Sequence, residues 1–191
     1  VIPDRIEAGT FMVAAAITGG DIVLQDIQEE HLKPVIAKLT ESNVKTEMTE
    51  KGLRVYRKGK LKPIQLKTMP FPGFPTDMQA VFMSLAAVAK GTSVITETVF
   101  ENRFLHTAEL QRMGADIKID SRSAVIEGVD ELTGTKVKAT DLRAGAALIL
   151  SALAAKGETE ISDIYHIERG YYHIAEKLCA LGADIQKKES S

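Results

Sequence analysis

One short pattern recurs three times along this chain: an aspartate followed by an Ala-rich apolar run that is long enough for a helix. Aspartate is a preferred residue at helix starts, because its side chain accepts hydrogen bonds from the free backbone N–H groups of the first turn. The runs are apolar nearly all round, which is typical of helices surrounded by protein. We therefore predict three buried helices, which start at Asp4, Asp77 and Asp141 and end near Gly19-Gly20, Lys90-Gly91 and Lys156-Gly157.

The same order of elements follows each predicted helix. A short strand comes first (21–26, 93–97 and 158–163), and an amphipathic helix comes second (30–41, 103–112 and 169–180). Alternating apolar and polar residues then predict a hairpin in the first two copies, 45–50 with 52–57 and 116–120 with 124–127. The third copy reaches 187–191 where its hairpin would stand. We predict one α/β domain over residues 1–191, with repeats at about 1–66, 67–138 and 139–191.

Composition bears on the class of protein and on its partners. A formal net charge of -2 gives no general attraction to nucleic acid or to an anionic membrane, so we expect neither as a partner. The four histidines lack the spacing of metal ligands, and no metal site is predicted. The single cysteine, Cys179, lies between Leu178 and Ala180 and is expected to be buried. Because the chain opens on Val1 in a helix start, we expect it to be a piece of a longer protein.

Four motifs, in this order along the chain, resemble a known family. They are Phe71-Pro72-Gly73-Phe74-Pro75-Thr76-Asp77-Met78-Gln79-Ala80, Glu101-Asn102-Arg103-Phe104, Ala139-Thr140-Asp141-Leu142-Arg143-Ala144 and Ile164-Tyr165-His166-Ile167-Glu168-Arg169-Gly170-Tyr171. Together they resemble the UDP-N-acetylglucosamine 1-carboxyvinyltransferases, the enolpyruvyl transferases that begin peptidoglycan synthesis. The resemblance runs along the whole chain and covers only the second half of the family's length.

The resemblance implies a fold and a reaction. The family's fold has two similar domains, each an inside-out α/β barrel of three units about a pseudo-threefold axis, with the active site between the domains. The implied substrates are phosphoenolpyruvate and UDP-N-acetylglucosamine, the reaction needs no cofactor, and the implied location is the bacterial cytoplasm. The sugar 3-hydroxyl adds to C2 of phosphoenolpyruvate, and phosphate leaves from the tetrahedral adduct. The N-terminal-half domain is the expected partner, and without it we expect no turnover.

The resemblance also assigns site residues. Asp77 matches the proposed general base on the sugar hydroxyl, and Thr76, Val99 and Phe100 match contacts to the UDP-sugar. Arg169 matches the arginine that closes on phosphoenolpyruvate. Three further residues match the anion side of the cleft: Arg103, Asp141 and Arg143.

Plainer interpretations of these residues exist. Asp77 could simply cap a helix, each arginine could form a surface ion pair, and Asp141 could pair locally with Arg143. Two alternatives for function also stand beside the main one. The chain could be a domain of the shikimate-pathway enolpyruvyl transferase, or a non-catalytic binding domain that has kept the same fold.

Overall fold

A computed structural model describes residues 2–189 of the chain. Val1, Ser190 and Ser191, at the ends of the first and third predicted repeats, lie outside the described residues. The helices are α1 Arg5–Thr18, α2 Glu29–Glu41, α3 Gln79–Ala87, α4 Thr107–Arg112, α5 Leu142–Ala154, α6 Tyr165–Glu168 and α7 Ile174–Ala180, with a 3-10 helix at Thr76–Met78. The strands are β1 Asp21–Leu24, β2 Lys45–Thr49, β3 Gly52–Tyr56, β4 Gln65–Lys67, β5 Thr92–Thr96, β6 Asp116–Asp120, β7 Ser123–Glu127, β8 Lys136–Lys138 and β9 Glu160–Ser162.

The three Ala-rich helices α1, α3 and α5 contact one another and form the centre of the core, as predicted. Every residue of α3 is buried, including the polar Gln79 and Ser84. Ser84 satisfies its hydroxyl by donating to the Ala147 carbonyl of α5 at 2.8 Å, which joins the two helices. Small side chains allow this close approach, because helix backbones can come together only where little side-chain volume lies between them. None of the described helices is both long and apolar enough to span a membrane.

The starts of the central helices confirm two of the three predicted caps. Asp4 Oδ1 accepts from the Ile6 N–H at 2.8 Å and begins α1. Asp141 Oδ1 accepts from the Arg143 and Ala144 N–H groups at 2.8 and 2.9 Å and begins α5. Asp77 differs, because it lies inside the 3-10 helix that leads into α3 and its side chain caps nothing. The carboxylate of Asp77 is therefore free of a local backbone role.

The ends of these helices agree with the sequence only for α1, where Gly19 has a left-handed φ of 74°. The predicted ends of α3 near Lys90-Gly91 and of α5 near Lys156-Gly157 are too late by a few residues. In α3 the Ala87 carbonyl accepts from the Val129 N–H at 2.8 Å, and this contact replaces a further helical turn. After α5 the chain is extended, and the Lys156 N–H donates to the Leu132 carbonyl at 2.8 Å.

The described strands form three small sheets, with strand orders β1-β3-β2, β4-β5-β7-β6 and β8-β9. Both predicted hairpins are confirmed as the antiparallel pairs β2–β3 and β6–β7. The sequence did not predict β4 and β8, which pair in parallel with β5 and β9. Each has three residues and a single buried side chain, too few for an alternating pattern to be visible.

The second helices match the sequence only in the first copy, α2. The predicted helix at 103–112 is wrong in its first turn, because α4 starts at Thr107. The predicted helix at 169–180 is also wrong, since α6 and α7 are separated by a break that contains Arg169. His173 in this break has a left-handed φ of 51°, which an α-helix cannot accommodate.

Candidate functional site

Asp77 and Arg143 form an ion pair across the start of two central helices, 66 residues apart in sequence. The Arg143 Nε and Nη2 atoms both lie 2.5 Å from Asp77 Oδ1. About a third of each side chain is exposed, 34% for Arg143 and 36% for Asp77. The structure therefore overturns two plainer interpretations: Asp77 is not a helix cap, and Arg143 does not pair with Asp141.

The geometry of this pair leaves one carboxylate oxygen open. Both guanidinium contacts go to Oδ1, and no group of residues 2–189 donates to Asp77 Oδ2. A carboxylate that is held on one oxygen and open on the other can accept a proton or a hydroxyl hydrogen bond from a ligand. Asp141 contributes differently, since its Oδ1 is used by the N-terminus of α5 and so fixes the helix turn that carries Arg143.

A small pocket of about 30 Å³ lies beside the pair. Its lining includes Thr76, Arg103, Asp141 and Arg143, so the structure brings these four predicted residues together. Arg103 also lies over the Phe100 ring, with the guanidinium carbon 4.3 Å from the ring centroid, which is a cation–π contact. Two guanidinium groups beside one pocket suit an anion, because each offers several N–H donors in a planar fork.

Two buried side-chain nitrogens in the pocket lining have no hydrogen-bond partner within the described residues: Gln79 Nε2 and His106 Nε2. Burial, as the largest effect, lowers the pKa of His106 to about 4, and the Asp141 charge acts in the opposite direction. The imidazole is therefore neutral at pH 7. The sequence analysis did not select either residue as part of the site, although Gln79 lies in the first of the four motifs and His106 follows the second.

Arg169 lies in the break between α6 and α7, exposed to solvent and outside the pocket lining. The adjacent Gly170 packs against α5, where a Cβ would lie 2.3 Å from Leu142 Cδ2. The next residue, Tyr171, is buried and its hydroxyl lies 2.9 Å from Thr10 Oγ1 of α1. Because Thr10 already donates to the Ile6 carbonyl, the Tyr171 hydroxyl is the donor. This packing fixes the backbone from which Arg169 extends.

The pKa of Tyr171 reflects its buried surroundings. Burial raises the pKa of the Tyr171 hydroxyl, the hydrogen bond with Thr10 lowers it, and the charges of Arg143 and Asp77 act on it as well. Arg169 itself makes no ion pair or hydrogen bond with Asp77 in the structure.

Val99 and Phe100 follow β5 and are organised by a residue that the sequence analysis missed, Glu97. The Glu97 carboxylate is 1% exposed and accepts four hydrogen bonds from neutral donors. Two of the donors are the Val99 and Phe100 N–H groups, at 3.0 and 3.2 Å, and a third is the Thr76 hydroxyl at 2.8 Å. The available signal was an acidic residue directly after β5, a strand in which Ser93 and Ile95 are buried.

Cys179 is exposed on α7, so the expectation that it is buried is wrong. The physical reason is that the core-facing residues of this short helix are Ile174 and Leu178, which point Cys179 outward. Among the described residues, no group of His, Cys, Asp and Glu side chains could hold a metal ion.

Comparisons with known proteins agree with this picture. The family model described as EPSP synthase (3-phosphoshikimate 1-carboxyvinyltransferase) matches residues 1–178. The chain is 63% identical over 188 residues to UDP-N-acetylglucosamine 1-carboxyvinyltransferase 1 of Caldanaerobacter subterraneus subsp. tengcongensis. It is 60% identical over 188 residues to the protein of the same name from Clostridium acetobutylicum. Each match covers 98% of this chain but 45% of the relative, so the chain spans about half the length of these relatives.

Solved structures show the same fold. The enolpyruvyl transferase NikO from Streptomyces tendae matches with a TM-score of 0.84 and 31% identity, over 97% of this chain and 44% of that one. EPSP synthase from Acinetobacter baumannii matches with a TM-score of 0.77 and 22% identity, over 99% of this chain and 48% of that one. The fold is that of the enolpyruvyl transferases, and the chain belongs to the EPSP synthase family.

Proposed function

We propose that this chain is part of a transferase that moves the enolpyruvyl group of phosphoenolpyruvate to the 3-hydroxyl of UDP-N-acetylglucosamine. The observation that carries the proposal is the 54–63% identity, over nearly the whole chain, to bacterial proteins with that name. The open oxygen of Asp77 and the arginines around it are consistent with this chemistry. The proposed role is the first committed step of peptidoglycan synthesis, in the bacterial cytoplasm, and so in cell wall formation, cell shape and division.

The proposed chemistry assigns roles to the sugar side of the site. Asp77 Oδ2 takes the proton of the 3-hydroxyl as its oxygen bonds to C2 of phosphoenolpyruvate, and the C2=C3 double bond opens as C3 gains a proton. Loss of phosphate from C2 and of one proton from C3 then restores the double bond in the product. Thr76, Val99 and Phe100 contact the UDP-sugar on the same side. Arg143 supports this assignment, because both of its contacts are to Oδ1 and Oδ2 has no donor among the described residues.

The proposed anion side uses the remaining charged residues. Arg103 and Arg143 bind the charged groups of phosphoenolpyruvate, and Asp141 holds the helix turn from which Arg143 extends. Arg169 reaches in from the break between α6 and α7 and stabilises phosphate as it leaves the adduct. Arg169 is exposed and has no ion-pair partner in the described residues, so its guanidinium is available to bind an anionic ligand.

The proposed architecture is one domain of three repeats, at about 1–66, 67–138 and 139–191, around a pseudo-threefold axis as an inside-out barrel. Mutual contact between α1, α3 and α5 supports it, and so does the strand that follows each of these helices. The N-terminal-half domain is the proposed partner. Two exposed apolar side chains support such a partner: Leu105, which lines the pocket, and Phe71 are each 68% exposed.

A second candidate is a domain of the shikimate-pathway enzyme, which the description of the matching family model favours. The identity to solved EPSP synthases is 22%, far below that to the UDP-sugar enzymes. A non-catalytic binding domain of the same fold is the third possibility.

Competing titrations of the chain distinguish these candidates. UDP-N-acetylglucosamine is expected to shift the amide resonances of Thr76 and Val99, whereas 3-phosphoshikimate is expected to leave them unchanged. Binding of 3-phosphoshikimate alone would favour the second candidate. Binding of UDP-N-acetylglucosamine that does not respond to Asp77→Asn would favour the third.

A further inference from the structure

Glu97 is a buried carboxylate without a cation. Its side chain lies between the ends of β4 and β5 and the start of the 3-10 helix. No lysine or arginine among residues 2–189 is within ion-pair distance of it, and all four of its hydrogen-bond donors are uncharged. Burying a carboxylate in this way is unfavourable unless hydrogen bonds replace its hydration. A residue that only filled space here could be apolar.

The two oxygens of Glu97 have different tasks. Oε1 accepts from Thr68 Oγ1 at 2.8 Å and from the N–H groups of Val99 and Phe100 at 3.0 and 3.2 Å. Oε2 accepts from Thr76 Oγ1 at 2.8 Å. Thr68 extends the network, because its hydroxyl oxygen accepts from the Thr98 N–H at 2.9 Å. One side chain therefore sets both the turn after β5 and the rotamer of Thr76.

We propose that Glu97 is a positioning residue that holds Val99, Phe100 and Thr76 in place and sets the hydrogen-bond polarity of Thr76. A threonine hydroxyl has one proton and two lone pairs. Because the Thr76 proton is donated to Glu97, only lone pairs remain for the pocket that Thr76 lines. The ligand group at Thr76 must then be a donor, such as a sugar hydroxyl or an amide N–H.

Glu97→Gln tests the polarity without changing the shape of the side chain. Three donors surround Oε1 and one surrounds Oε2, so the new amide oxygen is expected at the Oε1 position and the NH2 group next to Thr76. The Thr76 hydroxyl must then accept, and its proton turns away from residue 97. Glu97→Ala removes all four acceptor contacts. Glu109→Gln is the matched control, since Glu109 accepts from the Lys138 N–H at 2.9 Å and does not line the pocket.

The first measurement needs no ligand. Hydrogen exchange at the Val99 and Phe100 amides should be about tenfold faster or more in Glu97→Ala and nearly unchanged in Glu97→Gln and Glu109→Gln, because only the alanine variant removes their acceptor. In Glu97→Gln the new side-chain amide should show a nuclear Overhauser effect to the Thr76 methyl group. Unchanged exchange in a folded Glu97→Ala variant, or an amide that faces Thr68 instead, would overturn the proposal.

The second measurement uses UDP-N-acetylglucosamine and rests on the proposed function. Loss of one favourable hydrogen bond should weaken binding to Glu97→Gln by about fivefold to tenfold, while Glu109→Gln binds like the parent chain. Equal affinity of Glu97→Gln and the parent would show that the hydrogen-bond polarity of Thr76 does not affect binding. The proposal that Glu97 sets this polarity for the ligand would then be wrong. If the parent itself does not bind, the proposed function fails, and the exchange measurement still decides the positioning role.

Discussion

At the scale of single residues, the main contact of the candidate site is the ion pair between Asp77 and Arg143. A local pair of Arg143 with Asp141 was one interpretation of the sequence, but the partner is Asp77, 66 residues away. Spacing cannot show this, because it depends on how α3 and α5 pack. A similar pair, Asp21 with Arg54 at 2.7 Å, lies on the β1–β3 sheet away from the pocket.

Arg143→Gln is expected to change the free energy of unfolding by less than about 1 kcal/mol, because partly exposed ion pairs contribute little to stability. Urea unfolding of this variant, with Arg54→Gln as the control, measures the change. A loss of more than about 2 kcal/mol for Arg143→Gln alone would mean that the pair is a structural element of the core.

His106 predicts a dependence of stability on pH. Its pKa is lowered in the fold to about 4 from an ordinary value of 6.5, so between these values the unfolded chain binds more protons than the folded one. The His106 contribution is fully present above pH 6.5 and is lost as the pH falls toward 4, by about 3 kcal/mol in total. His106→Gln removes this titration.

Urea unfolding of the parent and of His106→Gln at several pH values from 7 to 4 measures this contribution as the difference between the two proteins, since the carboxylates are common to both. The stability of the parent should fall more steeply than that of the variant. If the stabilities of the parent and of His106→Gln fell in parallel with pH, burial would not lower the pKa of His106, and this prediction would be wrong.

At the scale of secondary-structure elements, the sequence predicts helices and strands that have a clear hydrophobic periodicity or a capping residue. The hairpins, α2 and the caps at Asp4 and Asp141 were predicted because each depends on neighbouring residues. The short strands β4 and β8 and the break after α6 were not predicted, because they depend on contacts with distant segments. Glu97 was missed for the same reason, since its role comes from donors on three segments.

The break that carries Arg169 depends on Gly170. A Cβ at this position would lie 2.3 and 2.7 Å from the two methyl carbons of Leu142, so Gly170→Ala must move the Leu142 side chain or displace the segment. We expect a loss of about 1–3 kcal/mol in the free energy of unfolding. Gly20→Ala is the control, because the neighbours of its Cβ would be 3.4 Å away or more.

Thermal or urea unfolding of both variants tests this packing, and the amide shifts of Thr10 and Tyr171 report whether the segment has moved. Equal stability of Gly170→Ala and Gly20→Ala would show that the segment adapts freely and that Gly170 does not position Arg169.

At the scale of the whole molecule, the chain corresponds to about half of its relatives, 45% of their length. The proposed site has its carboxylate and three arginines in this half, and its pocket is small, about 30 Å³. We infer that the rest of the proposed site comes from the half of these relatives that the chain does not cover.

We accordingly expect no phosphate release when the chain alone is incubated with phosphoenolpyruvate and UDP-N-acetylglucosamine. A continuous phosphate assay measures this, and addition of the N-terminal-half domain is expected to restore turnover. Turnover by the chain alone, abolished by Asp77→Asn, would show that one domain is sufficient and would refute the half-cleft account.

The central claim is that this chain carries a preformed site for the nucleotide sugar around Asp77. Titration of the chain with UDP-N-acetylglucosamine, followed by amide NMR of the parent and of Asp77→Ala, tests it most directly. The account predicts localised shifts at Thr76, Asp77, Val99 and Phe100 that become weaker in the variant. A folded spectrum that does not respond up to millimolar ligand, or shifts that the variant leaves unchanged, would contradict it.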